Sequence, residues 1–230
     1  MNNKLKTFIV IPAYNEESSL GKVIKRLKRR GYNNIIVVND GSKDQTLETA
    51  KKENVLVYNL IINSGLGVAL KTGIKAAVLN GADIIVTFDA DGQHHINDIK
   101  KIVKPISEGE SDVVIGSRLL NRKKNMPFMR RIGNSGLNFV TFLLFGIWVT
   151  DSQSGLRGFS RKAAQKIEIN SDRMEVSSEI IKEIKEKELR FKEVPIKTIY
   201  TEYSLEHGQN SIFGGFKIMY KLIIIKIFGK

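Results

Sequence analysis

The sequence predicts a mixed α/β fold, with a mostly parallel central sheet and helices on both faces. Two observations carry this expectation. Short apolar runs of strand length (FIVIP, NIIVVND, VLVYNL, ADIIVTF and DVVIGS) recur through the first half of the chain, each followed by a cluster containing Gly, Asn, Asp or Ser. Between them lie segments whose apolar residues repeat at helical spacing. Strands and helices that alternate with short polar connections build a parallel sheet covered on both sides.

Taken in order, KTFIVIPAYN (6–15) reads as a strand running into a loop. From 18 to 30, Leu20, Val23, Ile24 and Leu27 form one helical stripe, and Gly31 supplies the stop. NIIVVND (34–40) is a second strand, followed by a helix after Ser42 and a third strand at 55–60. A helix over about 66–79 leads to ADIIVTFDA, and another from about Asn97 leads to DVVIGSR (112–118). Ligands of such sheets collect beyond the carboxyl ends of the strands. The polar residues Tyr14, Glu16, Asp40, Asp89, Asp91, Gln93 and Arg118 all fall there.

At 230 residues the chain is long enough for one sizeable core. Its 37 Lys and Arg against 24 Asp and Glu leave a net charge of +13, which implies an anionic partner. Cysteine is absent, excluding disulfides and thiolate metal sites. MNNKLKTFIVIP enters a strand without a signal-peptide apolar region, which predicts a peripheral protein on the cytoplasmic side of the membrane.

VTFDADGQHH (86–95) is the most informative stretch. A buried strand stops at Asp89 and Asp91, two carboxylates that repel each other unless water or a cation lies between them. Asp89, Asp91 and Gln93 alternate along an extended segment, and their oxygens suit Mg²⁺ or Mn²⁺. The alternative is a loop whose aspartates cap the helix near Asn97. His94 and His95, being adjacent, point different ways and are expected to be solvated.

FIVIPAYNEE, VVNDGSKDQT, NSGLGVAL, TFDADGQH and DSQSGLRGF occur in this order. Together they resemble the family-2 glycosyltransferases of the Rossmann-like glycosyltransferase A fold, and among them the polyprenyl (dolichyl) phosphate sugar synthases. The resemblance spans about 7–203. It implies a nucleotide pocket at Pro12, Tyr14 and Glu16, base- and ribose-facing positions at Val38 and Asp40, and a nucleotide lining of Asp89 and Ala90. It also implies a divalent ion, Mg²⁺ or Mn²⁺, held by Asp89, Asp91 and Gln93 against the diphosphate of a UDP- or GDP-linked sugar. Acceptor phosphate then falls to Arg118, Arg131 and Ser135, and the sugar is transferred with inversion.

The residues support a lipid acceptor independently. NRKKNMPFMRR (121–131) holds five basic side chains and no acid, and from 132 to 149 the chain turns strongly apolar. On a helix Arg131, Ser135 and Asn138 share one face, while Ile132, Phe139 and Leu143 lie elsewhere. Such a helix can grip a lipid phosphate while an apolar face enters the bilayer interface, although a core helix beside a solvated basic loop has the same pattern. FVTFLLFGIWV is too short to span a bilayer. The catalytic unit is expected over 1–211. The tail 212–230, apolar and basic, either packs on the domain, lies in the membrane interface or meets a membrane-spanning partner protein.

A phosphate acceptor is already an anion and needs no strong base, whereas a hydroxyl acceptor does. Asp151 is the candidate to orient or deprotonate the acceptor, beside Asp91 and Arg118. Gln153 and Arg157 are candidates for the sugar or phosphates, and Glu175 and Glu179 either reach sugar hydroxyls or form a solvated face. No basic residue occurs from 198 to 211, where mannosyl-phosphate synthases carry an Arg and a Lys, so UDP-linked glucose or N-acetylhexosamine stands beside GDP-mannose as donor. The alternatives are a glycosyltransferase with a glycan or other hydroxyl acceptor, a sugar-nucleotide sensor without catalysis, and a basic nucleic-acid-binding protein. No nucleic-acid partner is expected, because aromatic-studded basic stripes and helix-turn-helix cues are missing.

Overall fold

The computed structural model describes residues 5–120 and 128–199, with only the backbone for 128–134. The basic stretch 121–127, the polar stretch 200–211 and the tail 212–230 lie outside the described residues, and with them the expected domain division. Seven strands form one sheet in the order β3-β2-β1-β4-β6-β5-β7. These are β1 (Thr7–Ala13), β2 (Ile35–Asp40), β3 (Leu56–Leu60), β4 (Ile84–Thr87), β5 (Val113–Ser117), β6 (Arg157–Ser160) and β7 (Phe191–Pro195). All are parallel except β6, which runs backwards between β4 and β5. The mostly parallel α/β fold expected from the sequence is therefore present, with one reversal that the strand-to-helix alternation did not foretell.

Both faces of the sheet are covered. Along β1, Phe8 and Val10 pack on one side and Ile9 and Ile11 on the other, the period of two that a doubly covered strand requires. The first side meets α3 (Leu66–Leu79), α6 (Arg161–Lys166) and α7 (Val176–Glu186), through Leu70, Ile74, Ala163 and Ile180. The second meets α1 (Leu20–Arg29) and α4 (Ile99–Ser107), through Val23, Ile24, Leu27, Ile99 and Ile102. The stripe read on α1 is the buried face of that helix. The helix expected near Asn97 begins as a 3-10 turn at Ile96–Asp98 before α4. A short helix, α2 (Thr46–Lys52), joins β2 to β3, and α5 (Phe128–Phe145) follows β5.

The α3 helix lies unusually close to the sheet, because Gly73 faces β1 without a side chain. A Cβ there would come within 2.3 Å of Val10 Cγ1 and 3.1 Å of Val38 Cγ2. Gly73→Ala is expected to push α3 off the sheet and cost about 1–3 kcal/mol. Urea unfolding checks this, with a lower midpoint and an unchanged slope.

Candidate active site

The carboxyl ends of β1, β2, β4 and β5 and the amino end of the reversed β6 meet along one sheet edge. The loop after β1 is knitted to the loop after β2. Asn15 takes a left-handed backbone (φ 54°), its N–H donates to Ser42 Oγ at 3.0 Å, and its Oδ1 accepts from the Lys43 N–H at 2.9 Å. The Glu16 N–H donates to Thr46 Oγ1 at 2.7 Å. These bonds leave Pro12 half-buried and Tyr14 exposed at the edge. Val38 is fully buried toward α3. The Asp40 carboxylate is buried and accepts from the Ser64 and Gly65 N–H groups at 2.7 and 2.8 Å and from Asn63 Nδ2 at 3.2 Å, so it holds the 63–65 turn.

Asp89, Ala90 and Asp91 follow β4 directly. Asp89 is partly open, Ala90 is buried in the core, and Asp91 and Gln93 are partly buried. His94 is buried rather than solvated, and its Nε2 lies 2.8 Å from Asp89 Oδ2. Its ring meets Phe88 edge-on with centroids 5.5 Å apart, and its backbone forms a β-bridge with Thr198. Behind Asp89 the chain is glycine. A Cβ on Gly155 would lie 2.2 Å from both Asp89 carboxylate oxygens. Gly155 O also accepts from Thr87 Oγ1 at 2.7 Å, fixing that backbone against the strand end.

The charges are divided unevenly. Burial works against ionised Asp89, but His94, Arg118 and Arg157 outweigh it and hold its carboxyl below the usual range. Burial raises Asp91, and the negative charge of Asp89 raises it further. Glu16 is raised by burial and by Asp91, Asp89 and Asp44, which places it within electrostatic reach of the pair. Arg157 is 2% exposed, and burial lowers it to about 10 against the opposing pull of Asp89 and Asp151. It stays cationic at neutral pH.

This donor set fits a hard divalent ion. Two carboxylates and an amide supply only oxygens, and Asp91 is destabilised by its own charge, which a cation relieves. Among the described residues no group of three or more His, Cys, Asp or Glu encloses a metal. An ion held by one or two carboxylates and otherwise by water and phosphate needs no such cage.

Arg118 follows β5, and its guanidinium forks onto Asp151, with Nε to Oδ2 at 2.7 Å and Nη2 to Oδ1 at 2.8 Å. The Arg118 N–H adds a third bond to Oδ2 at 3.0 Å. Asp151 is 0% exposed while the Arg118 side chain is 21% exposed, so the acid anchors the base at this end of the sheet. Gln153 is partly buried and donates through Nε2 to Ser152 Oγ and Ser178 Oγ. Glu175 and Glu179 are buried, and the Glu179 carboxylate accepts the N–H groups of Asn170 and Ser171. Ser135 lies exposed on α5, and Arg131 stands one turn before it on the backbone, its side chain outside the described residues.

The structure thus brings Asp89, Asp91, Gln93, Glu16, Arg118, Asp151 and Arg157 to one end of the sheet, while Val38 and Ala90 are packed in the core. Sequence reasoning missed His94, Gly155 and Glu193. Glu193 on β7 accepts from the Thr150 N–H at 2.9 Å, Thr150 Oγ1 at 2.8 Å and the Asp151 N–H at 3.3 Å. A glutamate in a strand reads as an exposed edge residue, and nothing in the local pattern links it to Asp151.

Comparison with known proteins decides the family. The description Glycosyl transferase family 2 matches residues 8–168. The chain belongs to that family. An uncharacterized protein of Methanocaldococcus jannaschii is 57% identical, over 98% of this chain and 94% of the relative. The UDP-N-acetylglucosamine–dolichyl-phosphate N-acetylglucosaminyltransferase of Methanococcus voltae is 46% identical, over 96% of each chain. The dolichol-phosphate mannosyltransferase of Pyrococcus furiosus is 32% identical, over 83% of this chain and 56% of that one. Glucosyl-3-phosphoglycerate synthase of Mycobacterium tuberculosis, solved with Mn²⁺, UDP and glucosyl-3-phosphoglycerate, superposes with a TM-score of 0.74 at 17% identity, covering 96% of this chain and 80% of that one. The protein is a glycosyltransferase resembling the polyprenyl-phosphate sugar synthases.

Gly155→Ala in this glycosyltransferase is expected to displace Asp89 and reduce sugar-transfer turnover about 100-fold with the fold retained. Steady-state kinetics beside circular dichroism checks this. Asp91→Asn is expected to raise the melting temperature of the metal-free protein near neutral pH. The folded-state pKa of Asp91 is raised. Its ionisation therefore costs stability above that pKa, and the cost fades as pH falls through it and is gone below the unfolded value. The gain from Asp91→Asn should shrink on acidification through the carboxylate range, as thermal melts at several pH values would show.

Proposed function

We propose that this glycosyltransferase moves a sugar from a nucleotide diphosphate to the phosphate of a polyprenyl (dolichyl) lipid, inverting the anomeric carbon. UDP-N-acetylglucosamine is the first donor to test, ahead of other UDP- and GDP-linked sugars. The observation that carries this reading is the end-to-end relationship to the Methanococcus voltae enzyme, whose name states that donor and acceptor.

The site is consistent with it. Asp89, Asp91 and Gln93 would hold Mg²⁺ or Mn²⁺, and the bound ion would offset the charge of the departing diphosphate. Arg118, oriented by Asp151, and Ser135 and Arg131 on α5 would take the acceptor phosphate. The Asp151 carboxylate, enclosed and engaged by three N–H groups, is poorly suited to accept a proton from a hydroxyl. A phosphate oxygen arrives as an anion and makes no such demand. Pro12, Tyr14, Glu16 and Asp40 line or shape the donor side, with Gln153 near the sugar.

The exposed surface of α5 supports a membrane as the place of reaction. Its Leu137, Asn138 and Thr141 are buried, while Phe139, Phe142 and Leu143 are exposed, and Trp148 beyond the helix packs edge-on to Phe142 with centroids 5.6 Å apart. Two of the three buried residues are polar and the exposed ones apolar, the reverse of a helix facing water. Basic residues precede it at Arg122, Lys123 and Lys124. Among the described residues no helix is long and apolar enough to cross a membrane. The protein would therefore lie on the surface of the bilayer that holds its acceptor.

Release of nucleotide diphosphate from a panel of UDP- and GDP-sugars with Mn²⁺ tests the function. Release that requires polyprenyl phosphate, and is lost with EDTA or Asp91→Ala, is the expected result. Donor turnover indifferent to the lipid would refute the acceptor. Leu143→Glu is expected to weaken co-flotation with anionic vesicles while leaving the melting temperature within a degree or two, since it changes an exposed position.

A further inference from the structure

Residues 150–152 form a hub held from two sides. From β7, Glu193 accepts the N–H groups of Thr150 and Asp151. From α5, Asn138 donates through Nδ2 to Thr150 O at 2.5 Å, and its Oδ1 accepts from the Ser152 N–H at 2.9 Å and Ser152 Oγ at 2.7 Å. Asn138 is 3% exposed, so these bonds form away from water, and its amide spans the residue between its two partners. That residue is Asp151, whose carboxylate grips Arg118. Ser117, next to Arg118, also bonds to the hub, with Oγ 2.6 Å from Thr150 Oγ1.

We infer that Asn138 is a positioning residue, tying α5 to the Asp151–Arg118 pair so that helix and guanidinium face one phosphate at a fixed separation. The helical repeat puts Arg131, Ser135 and Asn138 on one stripe, which runs from exposed Ser135 into the buried hub. A shift of α5 along its axis would carry Ser135 and Arg131 away from Arg118, and the three Asn138 bonds oppose that shift. Thr141 Oγ1 and Ser178 Oγ, 3.1 Å apart, join α5 to α7 one turn further on. This role rests on the acceptor site proposed above, but the grip on Arg118 can be read without any substrate.

Two arms test it. In kinetics with polyprenyl phosphate, Asn138→Ala is expected to lower kcat/KM for the lipid about tenfold, with the donor KM little changed. In the Arg118→Ala background the same substitution should add little, because the two residues act as a unit. Ser152→Ala, which removes one of the three bonds and spares the helix, should show the same pattern more weakly if Asn138→Ala folds poorly. Equal loss for donor and lipid, or equal loss with and without Arg118, would overturn the role. In the second arm, the Arg118 Nε–H resonance is assigned by its disappearance in Arg118→Lys. Its hydrogen exchange should accelerate in Asn138→Ala, and an unchanged rate would overturn the tether on Arg118. If the wild-type chain turns over no polyprenyl phosphate, the functional reading fails while the exchange measurement still decides the tether.

Discussion

The reversal of β6 is the constraint on which the site depends. A parallel strand in that place would bring its carboxyl end to the site and send its amino end to the far side. Running backwards, β6 starts at the site, and the segment leading into it is laid against the ends of β4 and β5. That one inversion puts Gly155 against Asp89, Asp151 against Arg118, and Arg157 within electrostatic reach of both acids. The contact between Gly155 and Asp89 is so close that the absence of a side chain is a condition of the carboxylate's position. The antiparallel pairs Thr87 with Arg157 and Val86 with Gly158 set this register.

Charge is distributed around that contact so that no buried ion stands alone. Asp89 has His94, Arg118 and Arg157 around it, and Arg118 has Asp151 beneath it. Asp91 accepts the Gln93 N–H and Glu16 accepts the Ser19 hydroxyl, but burial and neighbouring carboxylates outweigh these bonds and both carboxyls are raised. Spare negative charge thus stands on one side of the site and anchored positive charge on the other. The strain sits where a ligand would relieve it, as expected of groups that a folded chain stabilises poorly by itself.

The other organising element is α5, which inverts the usual relation of helix to water. Its polar residues Asn138 and Thr141 serve the interior, where unpaired amide and hydroxyl groups would be costly, while Phe139, Phe142 and Leu143 are left outside. Burial of polar groups on this helix is therefore specific rather than adhesive. Asn138 reaches two backbone groups and a hydroxyl, and through them touches the segment that orients Arg118.

Much of the fold was legible in the sequence, because the cores of a doubly covered sheet impose periodic patterns that a linear reading detects. The Leu20, Val23, Ile24 and Leu27 stripe, the strand runs up to Ser117 and the helix at 66–79 are all local signals of burial. So were Asp89, Asp91 and Arg118, which stand out as charges where apolar runs stop. β6 escaped notice because RGFS is short and polar enough to read as a loop, and its direction depends on which strands flank it. His94, Glu193 and Gly155 were hidden too. Gly155 and Glu193 act on residues in distant segments, Glu193 some 42 positions from Asp151, and contacts of that span leave no period in the sequence; His94 reaches back only to Asp89, through a turn whose shape the local pattern does not reveal. Sequence alone determined the class of sheet and the charged residues that stand at its strand ends. Only tertiary packing decided which of those residues are free to meet a ligand and which, like Asp40 and Asp151, are committed to holding the others in place.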